Sequence, residues 1–437
     1  MNYKAVDQPQ DAFVFAQQLH RKGKLDKAEK CYRKLLKHMP KHIDALHYLG
    51  LLRHHQGKSN DALKFMRRAL ELEPTYVEAH NNLGNVLKEL ACFKQAELSY
   101  RSVISLRPDF AEAHNNLGVT LKSQKHFEEA IEAYLVAIKL NPHYSDAWSN
   151  LGNAYVNVNR LEDAITAYRQ VIVLSPEKST AYEHIGLVLY KTGRVQDAIE
   201  IYHEWLRQDP GNPIAEHMLA ASSGSSTLNR ASDAYVQNAF DDFADDFDES
   251  LERLGYQAPL LLSSAVQDLF QPGQASLAIL DAGCGTGLCA EYFKPYAARL
   301  IGVDLSSGMI GHAKKLALYD ELIVAELTQY LLAQQAEFEL IVSADTLCYF
   351  GKLEEVLSAA HSALVDNGYL IFTLEQSLDS AGKGYKINPH GRYSHDESYV
   401  RNTLERLGFT IIKLEHESIR KELGTEVSGF IVVAKTG

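Results

Sequence analysis

No apolar run in this 437-residue chain approaches the roughly 18 residues that a membrane-spanning helix needs. The first residues, MNYKAVDQPQDAFVFAQ, mix acidic and polar side chains where a secretory signal would place a basic and then an apolar stretch. Cysteine is scarce. Cys31, Cys92, Cys284, Cys289 and Cys348 are scattered, odd in number and without metal-ligand spacing, which excludes a disulfide framework and a structural zinc site. The expectation is a reduced, cytoplasmic protein that binds no metal. Basic charge is missing from the second half: residues 1–230 hold 29 Lys and Arg against 26 Asp and Glu, whereas residues 231–437 hold 15 against 30. Such a half repels phosphate backbones, so nucleic acid is not the expected partner.

Proline is sparse too, with 12 in all, yet half of these fall on one period: Pro40, Pro74, Pro108, Pro142, Pro176 and Pro210. Ala28, Ala62, Ala96, Ala130, Ala164 and Ala198 keep the same 34-residue spacing, as do Gly50, Gly84, Gly118, Gly152 and Gly186. Proline ends a helix and resets the chain, glycine and alanine let two helices approach, and an aromatic such as Tyr100, Tyr134 or Tyr168 fills the space between them. The period and the order of these residues resemble the tetratricopeptide repeat. Six units then form an all-α solenoid over residues 1–220. Asn82, Asn116 and Asn150 recur two positions before the glycine, and Asn85 and Asn153 follow it in two units. Amides both donate and accept, and the row resembles the asparagine ladder in the repeats of the O-linked N-acetylglucosamine transferase. The resemblance implies a concave groove that holds a protein or peptide.

Small polar residues at Ser222–Ser226 suggest a linker over 221–230. The next stretch, YVQNAFDDFADDFDESLERLG, places Phe240, Phe243, Ala244 and Phe247 on one helical face, with acidic residues on the other. It reads as one amphipathic helix over the next domain, with Phe240 toward a cofactor. From Leu277 onward, seven apolar runs (277–280, 300–303, 322–325, 338–343, 369–373, 409–414 and 430–434) alternate with helical patterns, and the last two are joined through a short loop with Gly424. This is an α/β pattern: a parallel sheet with an antiparallel end.

LAILDAGCGTGLCAEYF, residues 277–293, reads as strand, glycine turn and helix. A dinucleotide site wants G-x-G-x-x-G/A, but here Asp281, Gly283, Gly285 and Gly287 give D-x-G-x-G-x-G, with Leu288 where the third small residue belongs. Together with Asp304 in GVDLSSGM, the motif resembles the class I S-adenosylmethionine-dependent methyltransferases. For residues 231–437 the resemblance implies a seven-stranded Rossmann-like domain with a helical lid, and S-adenosylmethionine as cofactor. Asp281, Gly283 and Gly285 would line the methionine portion, and Gly287 would admit the helix. Asp304 would take the ribose, Leu305 and Met309 would lie under the adenine, and Glu326 would sit near its amine. Asp345, after the fourth strand, and Tyr393 and His395 in PHGRYSHDESYV are the candidate catalytic residues, with His395 as general base. SADTLCY stands where D/N-P-P-Y would mark many DNA and glutamine methyltransferases, leaving N, O or S acceptors open. Two functions follow: methylation of a protein or peptide recruited by the repeats, or methylation of a small molecule with the repeats scaffolding a complex.

Overall fold

In the computed structural model, the described residues are 9–437 except 225–227, 242, 246, 274, 379–381 and 423–424. The chain divides into two compact units, Met1–Val188 and Leu189–Gly437.

The first unit is built from helix pairs: α1 (Pro9–Arg21) with α2 (Leu25–His38), α3 (Ile43–His55) with α4 (Ser59–Leu72), α5 (Val77–Glu89) with α6 (Phe93–Leu106), α7 (Ala111–Ser123) with α8 (Phe127–Leu140), and α9 (Ser145–Asn157) with α10 (Leu161–Leu174). In α2 the buried side chains Ala28, Cys31, Tyr32 and Leu35 follow the helical period, and this stripe recurs in the second helix of every pair. The repeated glycine has a steric cause. A Cβ at Gly118 would lie 2.5 Å from the Tyr134 ring, and one at Gly84 2.7 Å from Tyr100.

The second unit begins inside α11 (Ser179–Lys191) and takes in α12 (Val195–Gln208) and α13 (Pro213–Ser223). The division thus comes before residue 220, the end expected for the solenoid. Asn212 caps α13 by accepting from the amides of Ile214 and Ala215, each at 3.0 Å, and Gly224 ends it in the left-handed conformation. His217 on α13 is buried. Its Nε2 lies 2.7 Å from the Gly391 carbonyl, and its ring stacks on Tyr235 at 3.8 Å. Of the expected linker, residues 225–227 lie outside the described residues, as does Gly424. Beyond that gap, the Asn229 carbonyl accepts from Gly351 and Lys352, and the Ala231 amide donates to Tyr349.

The expected single lid helix is two: α14 (Asp233–Asp241) and α15 (Phe247–Arg253). There follow α16 (Ala258–Leu269), β1 (Leu277–Ala282), α17 (Ala290–Phe293), β2 (Ala297–Asp304), α18 (Ser307–Leu316), β3 (Glu321–Val324), α19 (Leu327–Leu332) and β4 (Phe338–Ser343). The chain continues with α20 (Glu354–Ala363), β5 (Leu364–Gln376), β6 (Tyr385–Ile387), β7 (Tyr393–His395), α21 (Glu397–Arg406), β8 (Thr410–Glu422) and β9 (Thr425–Lys435). Nine strands are described, two more than expected. Strands β3-β2-β1-β4-β5 are parallel, β9 pairs antiparallel with β5, and β8 pairs antiparallel with β9. The two unexpected strands, β6 and β7, fork from the far end of β5, where Glu375 and Gln376 pair with Ser394 and His395. The core lies on both faces of the sheet. Ile279, Leu340 and Ile371 pack toward α16 and α17, while Leu280, Ile341 and Phe372 pack toward α19, α20 and α21. The helix after the glycine turn is a single short turn, not the longer helix expected.

Candidate active site

Strand order reverses between β1 and β4, and an open α/β sheet leaves a crevice at that point, beyond the carboxyl ends of its strands. A cavity of about 330 Å³ lies there. Its floor is the turn after β1 (Gly283, Gly285), the end of β2 (Val303, Asp304, Leu305) and the loops after β3 and β4. A Cβ on Gly283 would strike the Thr346 side chain at 2.0 Å, whereas one on Gly285 would point into open space, with nothing nearer than Phe247 at 3.9 Å. Gly285 therefore keeps the turn's backbone bare beside the cavity.

Acidic groups surround this floor. Asp304 accepts from the Gly285 amide and the Ser306 amide, each at 2.9 Å, and burial raises its pKa. Asp281, 1% exposed, accepts from the Tyr319 hydroxyl at 2.7 Å. Burial lifts its pKa to about 7 against the pull of that hydrogen bond. Glu326 caps α19 through the Gln329 amide at 2.8 Å. One carboxylate oxygen each of Asp281, Glu326 and Asp345 is buried without a hydrogen-bond partner. The nearest cation to the Glu326 oxygen, Arg230, stands 3.9 Å away. Such orphan acceptors are costly unless a donor arrives.

The roof is α14 and α15, which present Phe240, Phe247 and Leu251, with Leu254 just past the end of α15. Phe240 meets Phe247 and Tyr349 edge-on, at 5.9 and 5.5 Å. The acidic residues of this segment latch it down. Asp241 accepts from the Gly308 amide at 2.9 Å and from the Ser306 hydroxyl at the start of α18, a position the helix dipole favours. Asp248 accepts from the Thr286 hydroxyl in the glycine turn.

At the far end stands a buried ionic cluster. Arg420, 2% exposed, donates to Asp345 at 2.7 Å and also to Glu375, and Arg392 donates to the same Glu375 oxygen at 2.7 Å. Burial alone would raise the Glu375 pKa, but the two guanidinium groups hold it well below the usual carboxylate range. Asp345 sits at φ +53°, a strained conformation for aspartate. Asp345, Cys348 and Glu375 bring possible metal ligands within 4.8 Å of one another, but Arg420 engages both carboxylates.

A family profile described as a methyltransferase domain matches residues 254–414, and tetratricopeptide-repeat profiles match 13–77, 77–110, 120–159 and 149–213. The chain joins tetratricopeptide repeats to a methyltransferase domain. It is 34% identical over 126 residues to a malonyl-(acyl-carrier protein) O-methyltransferase of Priestia megaterium, covering 27% of this chain and 42% of that protein. A protein of the same description from Geobacter sulfurreducens is 27% identical over 201 residues, 42% of this chain and 72% of that one. The chain thus spans less than half of the first relative's length and 72% of the second's. Among solved structures, MamA aligns at 26% identity and TM-score 0.36, over 38% of this chain and 96% of that one.

In the methyltransferase domain, Phe240, Gly283, Gly285, Asp304, Leu305, Met309, Glu326 and Asp345 all line the cavity. Asp281 lies beneath the turn. Gly287 serves packing instead: its Cβ would meet Leu316 at 2.8 Å. Tyr393 and His395 do not reach the cavity. They form β7, where the Tyr393 hydroxyl donates to the Leu228 carbonyl and the His395 ring bonds the Gly351 carbonyl at 3.0 Å. Burial holds the His395 pKa down at about 4, so it is neutral and enclosed, unsuited to the general-base role expected of it. Sequence reasoning missed Arg420 and Glu375. Glu375 could have been flagged by its place at the carboxyl end of β5. Arg420 carried no signal: it reaches the site because a bulge between Ser418 and Arg420 re-aims the strand.

In the repeats, the amides expected to face a peptide are engaged with one another. Asn82 bonds His47 at 2.9 Å, Asn150 donates to Asn115 at 3.0 Å, and Asn116 donates to Asn85 at 3.4 Å. Asn85 and Asn153 accept from the buried hydroxyls of Tyr100 and Tyr168, each at 2.7 Å. Among the described residues, no helix is long and apolar enough to cross a membrane.

Proposed function

We propose that the second unit is an S-adenosylmethionine-dependent methyltransferase and that the repeats recruit a protein or peptide partner or substrate to it. The observation that carries the cofactor reading is the pair of orphan carboxylate oxygens on Glu326 and Asp345 in the lining of a glycine-bared cavity, with a third on Asp281 buried beneath its turn. A cationic ligand with amine and hydroxyl donors supplies what those oxygens lack. Asp304 is bonded by the backbone amides of Gly285, Ser306 and Leu305, and its remaining lone-pair capacity would take a ribose diol. Leu305 and Met309 would hold the adenine, Glu326 its amine, and Phe240 would close over the ligand. The bound cofactor supplies an electrophilic methyl group. The chain's own residues bind, orient and exclude water, the work expected of protein around a reactive cofactor.

A second reading, small-molecule O-methylation with the repeats acting as a scaffold, is favoured by the mutual bonding of the repeat amides and by the names of the relatives. Calorimetric titration of S-adenosylmethionine into the full chain and into Asp304→Ala tests the core of the proposal. We expect saturable binding, weakened about 10- to 100-fold in the variant, since hydrogen bonds to a charged group contribute about 1.5–3 kcal/mol. No binding by the intact chain sinks it. Loss of labelled-methyl transfer to lysate proteins in an Asn82→Ala, Asn116→Ala, Asn150→Ala variant would support recruitment by the groove, and unchanged transfer would favour the scaffold.

A further inference from the structure

Positive charge in this acidic chain is gathered in one place. Residues 21–41 hold nine Lys and Arg against two Asp and Glu, whereas the rest of the chain holds 35 against 54. All nine cations are exposed, and they run along α2 and its two flanks. The helix buries Ala28, Cys31, Tyr32 and Leu35 in its repeat. On the opposite side, Lys27, Lys30, Lys34 and Lys37 fall within about a quarter of its circumference, along roughly 15 Å. Of the two acidic residues, Glu29 is spent on Arg33 at 2.7 Å and Arg53 at 3.3 Å. Among the described residues, no carboxylate pairs with Lys22, Lys24, Lys27, Lys30, Lys37 or Lys41.

The repeat itself does not require this row. In α4, Lys64 and Arg68 are answered by Asp61 and Glu71 at 3.6 and 2.6 Å, and in α6 Arg101 is answered by Glu97 at 2.8 Å. Helix α8 carries one lysine against three glutamates. A terminal repeat needs a polar outer face for solubility, but not one of a single sign. The chemistry of the face narrows its partner. Seven of the nine cations are lysine, a compact and strongly hydrated charge, and of the two arginines Arg33 is already held by Glu29. Forked recognition of single phosphates is therefore not what this face offers. Tyr32 is buried and residues 21–41 hold no Phe or Trp, so no nucleic-acid base can stack there. Protein interfaces are poor in lysine and centre on aromatic or arginine anchors. A row of hydrated lysines along one side of a helix matches instead a diffuse anionic plane, the headgroup surface of a bilayer that contains negatively charged lipid. The apolar side of α2 is committed to the repeat core, so the contact is electrostatic and nothing inserts.

We propose that the outer face of α2 docks the protein on an anionic membrane surface. The full chain is sedimented at about 0.1 M salt with vesicles of phosphatidylcholine alone and with vesicles that carry about 30 mol% phosphatidylglycerol. It binds only the anionic vesicles, and it is released as salt rises to about 0.5 M and shortens the Debye length. Replacing three lysines of the row, as Lys30→Gln with Lys34→Gln and Lys37→Gln, weakens binding about 10- to 100-fold, because each lysine near such a surface adds its own share. A matched variant, Lys64→Gln with Lys94→Gln and Lys139→Gln, removes the same charge from exposed positions of α4, α6 and α8. Lying off the row, these changes weaken binding by less than about 3-fold. Thermal unfolding checks that both variants are folded; should the first not fold, Lys30→Gln with Lys37→Gln takes its place. No binding to the anionic vesicles, equal binding to the neutral ones, or an equal loss in the matched variant overturns the proposal. Tighter binding of a duplex DNA fragment or of polyglutamate, compared at equal concentration of charge, also overturns it and assigns the face to nucleic acid or to an acidic protein.

Discussion

Both units bury polar atoms without hydrogen-bond partners, but the two leave different kinds of atom over. In the repeats the leftover atoms are scattered, such as the Tyr134 hydroxyl and Asn81 Oδ1, while asparagines bond across to the preceding repeat at nearby positions: Asn116 reaches Asn85 and Asn150 reaches Asn115, so the repeat supplies partners for some of its amides. In the methyltransferase domain they gather at one place: carboxylates from the end of β2 and the loops after β3 and β4 line a cavity, with Asp281 of β1 buried beneath it, and Asp281, Glu326 and Asp345 each keep an orphan oxygen. A solenoid can pair amides across repeats because each unit contacts only its neighbours. A binding site leaves acceptors unsatisfied and draws stability from elsewhere.

The sharpest way to break this contrast is Glu375→Ala. The substitution leaves Arg392 and Arg420 buried beside one remaining carboxylate, and removing one member of a buried ionic group costs about 3–5 kcal/mol. Urea unfolding should show a loss of that size, well above the loss from Glu375→Gln, which keeps an acceptor oxygen. A loss under about 1 kcal/mol would mean that the cluster is hydrated.

Asp281 tests the orphan carboxylates directly. Its pKa is raised to about 7, chiefly by burial, so the folded ligand-free protein holds a proton that the unfolded chain releases near pH 4. The wild type should therefore lose stability relative to Asp281→Asn as pH rises from about 4 to 7, by up to about 1.4 kcal/mol per pH unit. Below pH 4 the difference levels off. Unfolding curves for both proteins at pH 4.5 and 7.5 measure it, and a pH-independent difference refutes the protonated carboxyl. In the repeats the contrast is steric. Gly118→Ala drives a Cβ into the Tyr134 ring and should cost about 1–3 kcal/mol with no effect on the cofactor. Gly285→Ala meets no such clash and should cost about 1–2 kcal/mol through its left-handed backbone, yet weaken S-adenosylmethionine binding.

What the sequence reveals follows the same divide. The 34-residue period is legible because each unit repeats one local solution, and the glycine–tyrosine complementarity can be read from spacing alone. The turn Asp281–Gly287 and Asp304 are legible because cavity and turn are made by neighbours in sequence at strand ends. Arg420 is not, since its place depends on a bulge and on β9 lying between β8 and β5. His395 misleads for a related reason. HGRYSH looks like an exposed loop rich in polar groups, but pairing with β5 and β6 buries Tyr393, Ser394 and His395 alike. The lid is half legible: its phenylalanines line the cavity as the pattern implies, while Asp241 and Asp248, exposed as expected, also latch α18 and the glycine turn.

The smallest effect refines the rule that the repeat supplies partners. Tyr100 and Tyr168 each donate to an asparagine fifteen positions earlier, Asn85 and Asn153. The residue fifteen positions before Tyr134 is Val119, and the Tyr134 hydroxyl is buried without a partner. Val119→Asn should supply the missing acceptor and stabilise the repeats by about 0.5–1.5 kcal/mol. Position 119 is only half-buried, so the new amide nitrogen keeps access to water, and valine and asparagine differ little in helix propensity. A double-mutant cycle isolates the bond, because the gain must vanish when Val119→Asn is placed on Tyr134→Phe. If the gain survives without the hydroxyl, the asparagines of the neighbouring repeats stabilise their helices for some other reason, and the pairing of Tyr100 with Asn85 is incidental to it.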